Sequence, residues 1–248
     1  MGQVEMNVEL LAHTQISKSI EDRLIENAEK LDSVVGFGTI TYGQIVALAA
    51  IRQCYSYKTA LEVLDTEFVK YFGDKGKEGK RLFNQIVKSG HTSTLEHISF
   101  TFAVEGVSRS LLAQLTRHRV GFSYSVQSQR YVQFGSESRS GGFDYVVPEN
   151  FKKDEKLHQY FTECMEDVQC EYDNFLRLGV PQEDCRALLP NAAATNLVLT
   201  VNLRALLDFY RKRKPGKGAQ HEITVLAEKL KKVVVEVEPW TAEFFEME

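Results

Sequence analysis

Three guanidinium groups, an imidazole and a run of hydroxyl and amide donors crowd one short stretch, where Arg117-His118-Arg119 precedes Ser123-Tyr124-Ser125-Val126-Gln127-Ser128-Gln129-Arg130-Tyr131. Guanidinium forks and hydroxyls suit a doubly charged phosphate, and the remaining donors can read the edge of a flat heterocycle. A plainer reason for Arg117 and Arg119 also exists, because cations at a helix C-terminus offset the helix dipole. The segment that follows keeps adding donors, and two separate polar faces are a costly way to build a core. That density favours a ligand over a purely structural role.

Helices and strands must position these groups. Ser108 to Arg119 carries Leu111, Leu112 and Leu115 at helical spacing, which predicts a helix with the Arg-His-Arg triplet on its last turn and Gln114, Arg117 and His118 facing one cleft. The composition of Gln129 to Phe134 predicts a strand, with Ser128 and Arg130 on one side and Gln127, Gln129 and Tyr131 on the other. Upstream, strands are expected over Asn7 to His13 and His97 to Gly106, and helices over Thr41 to Tyr55, with Thr41 as cap, and about Lys80 to Ser89, stopped by Gly90-His91. Between those helices, the stretch from Phe68 to Lys77 ends in a charged, glycine-containing loop. Downstream, Phe151 to Leu178 reads as a long amphipathic helical region and Pro181 to Leu189 as a short helix opened by proline. Thr195 to Asn202 reads as a strand, and Leu203 to Lys212 and Gly218 to Val237 as helices, the last with Lys229, Lys231 and Lys232 on a solvent face.

Helices and strands alternate without a regular βαβ period, and neither G-x-G-x-x-G nor a P-loop occurs, so an α+β fold is expected. No Pro-, Gly- or Ser-rich linker divides the 248 residues, which points to one domain over 1-248. The start Met1-Gly2-Gln3-Val4-Glu5 has no signal-like pattern, and no run approaches the about 20 apolar residues of a membrane span, so a cytoplasmic location and no membrane partner are expected. Cys54, Cys164, Cys170 and Cys185 form no C-x-x-C unit and read as reduced thiols. A net charge of -4 gives no general reason to bind nucleic acid, whereas locally basic motifs fit a small anionic ligand in a cleft.

The order Arg117-His118-Arg119, then Ser128, then Arg130-Tyr131 resembles the signature of the flavin-dependent thymidylate synthases. Two further segments are similar to that family: Gly90-His91-Thr92-Ser93-Thr94-Leu95-Glu96-His97, and the C-terminal part running from Arg186 through Asn202-Leu203-Arg204 to Gln220-His221-Glu222-Ile223. The chain departs from the pattern at Ser125-Val126, where members carry Asn-Glu, and by one extra residue each after Arg119 and near Pro215-Gly216. The resemblance implies a mainly antiparallel sheet flanked by helices, and conversion of dUMP to dTMP with methylenetetrahydrofolate as carbon donor and NADPH-reduced FAD as hydride source.

The resemblance also implies residue roles. Gln114, Arg117, Ser128, Arg130, Arg186 and Arg213 would bind dUMP, and Arg213 would act catalytically by stabilising the uracil anion. His91, Ser93, Arg117, His118, Arg119, Asn202, Arg204 and Asp208 would bind FAD. Arg204 carries an independent hint, since a cation in the first turn of a helix is unfavourable without a compensating anion. The resemblance further implies a homotetramer with active sites built across subunits and contacts with folate and a nicotinamide nucleotide.

No metal is expected, because His91, Glu96 and His97 lack the H-E-x-x-H spacing. Ser128 reads as a donor and not a nucleophile, since no histidine and acid are placed by the sequence to deprotonate it. Two other classes use the same residues: a noncatalytic nucleotide-binding regulator holding phosphate on the same arginines, and an RNA binder stacking bases on Tyr124 or Tyr131.

Overall fold

A computed structural model of the chain describes residues 1–30, 40–73 and 76–247. Its sheet has four strands in the order β1-β2-β4-β3, with β1 at Asn7–His13, β2 at Ser99–Ser108, β3 at Phe122–Val126 and β4 at Ala194–Asn202. The long strands run antiparallel. Thr14 N–H donates to Ser99 O at 3.0 Å and Leu203 N–H to Ile98 O at 2.8 Å, while Thr101 and Thr200 pair their hydroxyls at 2.9 Å. The period-two pattern of β2 and β4 explains the sheet. Phe100, Phe102, Val104, Leu197, Leu199 and Val201 are buried, whereas Glu105, Asn196 and Val198 lie exposed between them. The α+β architecture with an antiparallel sheet and flanking helices is therefore the one expected.

Two compact units are built from interleaved segments: Met1–Glu9, Phe102–Leu199 and Arg213–Lys229 form the first, and Leu10–Thr101, Thr200–Lys212 and Leu230–Glu248 the second. Helices α1 (Lys18–Lys30), α2 (Tyr42–Tyr55), α3 (Ala60–Phe72) and α4 (Lys77–Lys88) belong to the second unit. Two capping boxes start α2 and α3. The Thr41 hydroxyl accepts from Gln44 N–H and the Thr59 hydroxyl from Glu62 N–H, while Gln44 and Glu62 reach back to the cap N–H groups. Gly90, at φ +77°, ends the segment after α4 as expected, and a 3-10 turn over Thr92–His97 leads into β2. The core of this unit gathers Leu48, Ile51, Phe68, Phe83, Leu95, Phe209 and Leu230, all buried.

In the first unit, α5 (Arg109–Leu115) follows β2 directly, capped by Ser108, whose hydroxyl accepts from Leu111 N–H at 3.0 Å. Helices α6 (Glu149–Lys152), α7 (Glu155–Arg177) and α8 (Gln182–Cys185) lie between β3 and β4. Here the core is a cluster of Phe134, Phe143, Tyr145, Val147, Met165, Tyr172, Cys185 and Ala193. The end of β4 feeds α9 (Leu203–Arg213), and α10 (His221–Val237) and α11 (Ala242–Glu246) complete the chain.

Several expectations change. Helix α5 ends at Leu115, so Arg117-His118-Arg119 stands on a turn beyond the helix instead of its last turn. Tyr124, on the strand that follows, donates from Oη to the carbonyls of Leu115 at 2.9 Å and His118 at 2.5 Å, and the Thr116 hydroxyl bonds back to Leu112 O at 2.9 Å. The strand expected over Gln129 to Phe134 is a turn, because the Ser128 hydroxyl captures the N–H groups of Arg130 at 3.1 Å and Tyr131 at 3.3 Å. Strand β3 lies upstream at Phe122–Val126 instead. The helical region over 151–178 breaks at Lys153, where Asp154 caps a new helix through Lys156 and Leu157 N–H. Helices α1 and α3 were not anticipated. Lys231 is half-buried and not on a solvent face, since Nζ donates to Tyr210 Oη at 3.0 Å and pairs with Glu246. The loop expected after Phe72 includes Asp74 and Lys75, which lie outside the described residues.

Candidate active site

The first unit holds every residue assigned to dUMP, grouped around two turns. On the first turn the Tyr124 clamp fixes the backbone of the triplet; burial pushes the Tyr124 phenol up, so the hydroxyl remains a donor. Arg117 and Arg119 are exposed, while His118 is half-buried, its ring 6.0 Å from that of Phe122. Arg213, at the end of α9, donates from Nε to His118 Nε2 at 3.2 Å. Two expected site residues separated by 95 positions are thereby joined. An accepting Nε2 places the neutral imidazole proton on Nδ1. Gln114 does not share a helical face with Arg117 and His118, because the helix stops short of them; its amide is hydrogen-bonded to Gln220.

The second turn assembles Ser128, Arg130 and Arg186. Arg130 Nε meets Glu183 Oε2 at 2.8 Å, with its guanidinium 5.4 Å from the Tyr131 ring centroid. Gln182 donates to Arg130 O at 2.6 Å, and Arg186 Nε donates to the backbone oxygen of Glu183 at 2.9 Å. Ser128 accepts two backbone N–H groups and keeps its own O–H to donate.

A residue absent from the expected set belongs with these. Arg109 donates from Nη2 to Gln127 O at 3.0 Å, yet its Nε is buried with no hydrogen-bond partner among the described residues. Burial and the nearby Arg186 charge both press its pKa down, the signature of a guanidinium short of an anion. The signal was present in the sequence. Arg109 opens α5 directly after the Ser108 cap, where the helix dipole disfavours a cation for the same reason as at Arg204.

In the second unit, His91 precedes the 3-10 turn that bears Ser93, and both are exposed. His91 Nδ1 lies 2.5 Å from Tyr55 Oη, a partner that sequence reasoning missed. Asn202 caps α9 by accepting from Ala205 N–H at 2.9 Å. Arg204, in the first turn, is paired with Glu96, and Asp208 holds Lys212 at 2.6 Å and Arg211 at 3.6 Å. An arginine, an imidazole, a hydroxyl and an amide suit the pyrophosphate and ring edges of a dinucleotide cofactor, so this donor set fits FAD. Among the described residues no three His, Cys, Asp or Glu side chains converge on a metal position, and no helix is long and apolar enough to cross a membrane. All four cysteines are free thiols. Cys185 is buried, donates to Val180 O at 3.4 Å and has its thiol pKa raised by burial, a poor setting for a nucleophile.

Guanidinium groups gather on two turns of an antiparallel α+β protein, and comparison with known proteins narrows the class. A family described as thymidylate synthase complementing protein matches residues 40–240. The chain is 42% identical over 197 residues to the flavin-dependent thymidylate synthase of Geobacter sulfurreducens, covering 78% of each. It is 36% identical over 210 residues to that of Clostridium tetani, again covering 78% of each. A UMP/dUMP methylase from Streptomyces cacaoi, solved with 5-Br dUMP, shares the fold with a TM-score of 0.72 and 20% identity over 99% of this chain and 96% of that one. The chain belongs to the flavin-dependent thymidylate synthase family.

Proposed function

We propose that this protein converts dUMP to dTMP, using methylenetetrahydrofolate as the carbon source. The observation that carries this reading is the convergence of Arg109, Arg130 and Arg186 with Ser128 in one unit, including a buried guanidinium nitrogen that lacks an anion. A phosphate dianion supplies acceptors for the accessible nitrogens of these arginines and offsets the charge that burial leaves uncompensated at Arg109. Arg109, Arg130 and Arg186, with the Ser128 hydroxyl, hold the phosphate end of dUMP, and Gln114 and Arg117 hold the remainder. Arg213 stabilises the negative charge that develops on the uracil ring as the N3 proton passes to solvent water, which makes C5 nucleophilic without a covalent bond to the enzyme. His118 orients that guanidinium by accepting from its Nε.

His91, Ser93, Arg117, His118, Arg119, Asn202, Arg204 and Asp208 form the flavin-binding set. Bound FAD, reduced by NADPH, supplies the hydride that completes the methyl group. The protein's own share is orientation and electrostatic field. In this reading the whole chain acts as one catalytic domain in a homotetramer whose active sites are built across subunits.

The test is dTMP formation by purified protein given dUMP, methylenetetrahydrofolate, NADPH and FAD under low oxygen, each omitted in turn. Product that requires all four is the expected result. Flavin binding without product from correctly folded protein would overturn the enzymatic reading and favour a nucleotide-binding regulator.

A further inference from the structure

Glu183 is the one carboxylate that hydrogen-bonds within the guanidinium group of Arg109, Arg130 and Arg186 among the described residues, and no step of the proposed reaction uses it. Its Oε2 sits 2.8 Å from Arg130 Nε, the place a phosphate oxygen bound at that nitrogen would take. Its backbone oxygen meanwhile holds Arg186 Nε, and the adjacent Gln182 side chain holds Arg130 O, so the start of α8 carries both the competing carboxylate and the groups that keep the arginines in place. We infer that Glu183 is a placeholder anion: it holds Arg130 until a phosphate-bearing ligand displaces it, and so sets how strongly this cluster prefers a dianion over an uncharged nucleoside.

The inference rests on the dUMP reading above. Side-chain exposure of 57% for Arg130 and 48% for Glu183 makes the pair easy to displace. Exposed ion pairs are worth at most about a five-fold factor, and a phosphate dianion making charge-assisted bonds to several guanidiniums exceeds that. A nucleoside without phosphate has nothing to exchange for the carboxylate. Glu183 therefore lowers dUMP affinity slightly in exchange for keeping Arg130 ordered.

Equilibrium binding of dUMP and of deoxyuridine to wild type, Glu183→Gln and Glu183→Asp, at low and at near-physiological salt, tests this. The expected result is dUMP binding about 3-fold tighter in Glu183→Gln, a smaller gain in Glu183→Asp, unchanged deoxyuridine binding, and a gain that shrinks with salt. Folded Glu183→Gln with unchanged or weaker dUMP binding, beside a wild type that binds dUMP, overturns the placeholder and leaves the dUMP reading standing. An equal gain for deoxyuridine also overturns it. A wild type that binds no dUMP overturns both.

Discussion

The two units treat charge in opposite ways. In the first, three arginines of the site are incompletely answered: Arg109 has a buried nitrogen with no acceptor among the described residues, Arg130 meets one exposed carboxylate, and Arg213 donates to an imidazole nitrogen. In the second, the deeply buried charge-bearing group is an acid. Glu238 is fully buried against Thr41 Oγ1, Gly43 N–H at 3.1 Å and Trp240 Nε1, with His13 Nδ1 3.9 Å away. Its carboxyl satisfies the first turn of α2 and needs no ligand, whereas Arg109 is incompletely satisfied by the protein itself. Among the described residues, buried unpartnered atoms occur in both units, at His13 Nδ1 and Thr195 Oγ1 as well as Arg109 Nε, but only at Arg109 does the gap fall on a charged group beside another cation.

The sharpest way to break that comparison is at Arg213. Arg213→Ala is expected to lower turnover about 10²–10³-fold, read as dTMP formed at saturating substrates, while the melting temperature stays near wild type. On the other side, Glu238→Ala strands the N–H and O–H donors around it. A loss of about 3 kcal/mol is expected, a fall in melting temperature of about 10 °C by thermal denaturation, with dUMP affinity of the remaining folded protein unchanged.

Smaller and reciprocal effects sharpen the contrast further. Arg109→Ala should weaken dUMP binding about 10-fold and leave FAD binding unaltered, and Arg204→Ala should do the reverse; calorimetric titration and flavin fluorescence separate the two. Equal loss of both ligands in either variant would dissolve the distinction.

The smallest effect concerns pH. Burial raises the Glu238 carboxyl above 4.5, against the pull of its hydrogen bonds to Thr41, Trp240 and Gly43 and the charge of His13. A raised folded value means that the stabilisation is fully present below the unfolded value and is lost as pH rises through the folded one. The stability gap between wild type and Glu238→Ala should thus widen as pH falls through the raised folded value, and a gap independent of pH would count against that shift.

Much of this was legible in the residues themselves. Alternating apolar positions marked β2 and β4, Leu spacing marked α5, and Thr41 marked the start of α2, because each depends on interactions within a few residues. Thr59-x-x-Glu62 carries the same capping signature for α3. The end of α5 was not legible, since Tyr124 sets it from a separate strand. The turn at Ser128 was half legible: a serine two residues before Arg130 can capture its N–H, but the neighbours have strand-forming composition.

By itself the sequence determined the family, through Arg117-His118-Arg119, Ser128 and Arg130-Tyr131, and with it the kind of chemistry these side chains can perform. Only the tertiary structure decided which cations stand alone and which are answered. It set Arg213 on His118, Glu183 on Arg130, Glu96 on Arg204 and left Arg109 Nε buried with no acceptor among the described residues. The reason is physical: residue type fixes charge and donor capacity, but pairing and desolvation depend on groups far apart in the chain that meet when it folds.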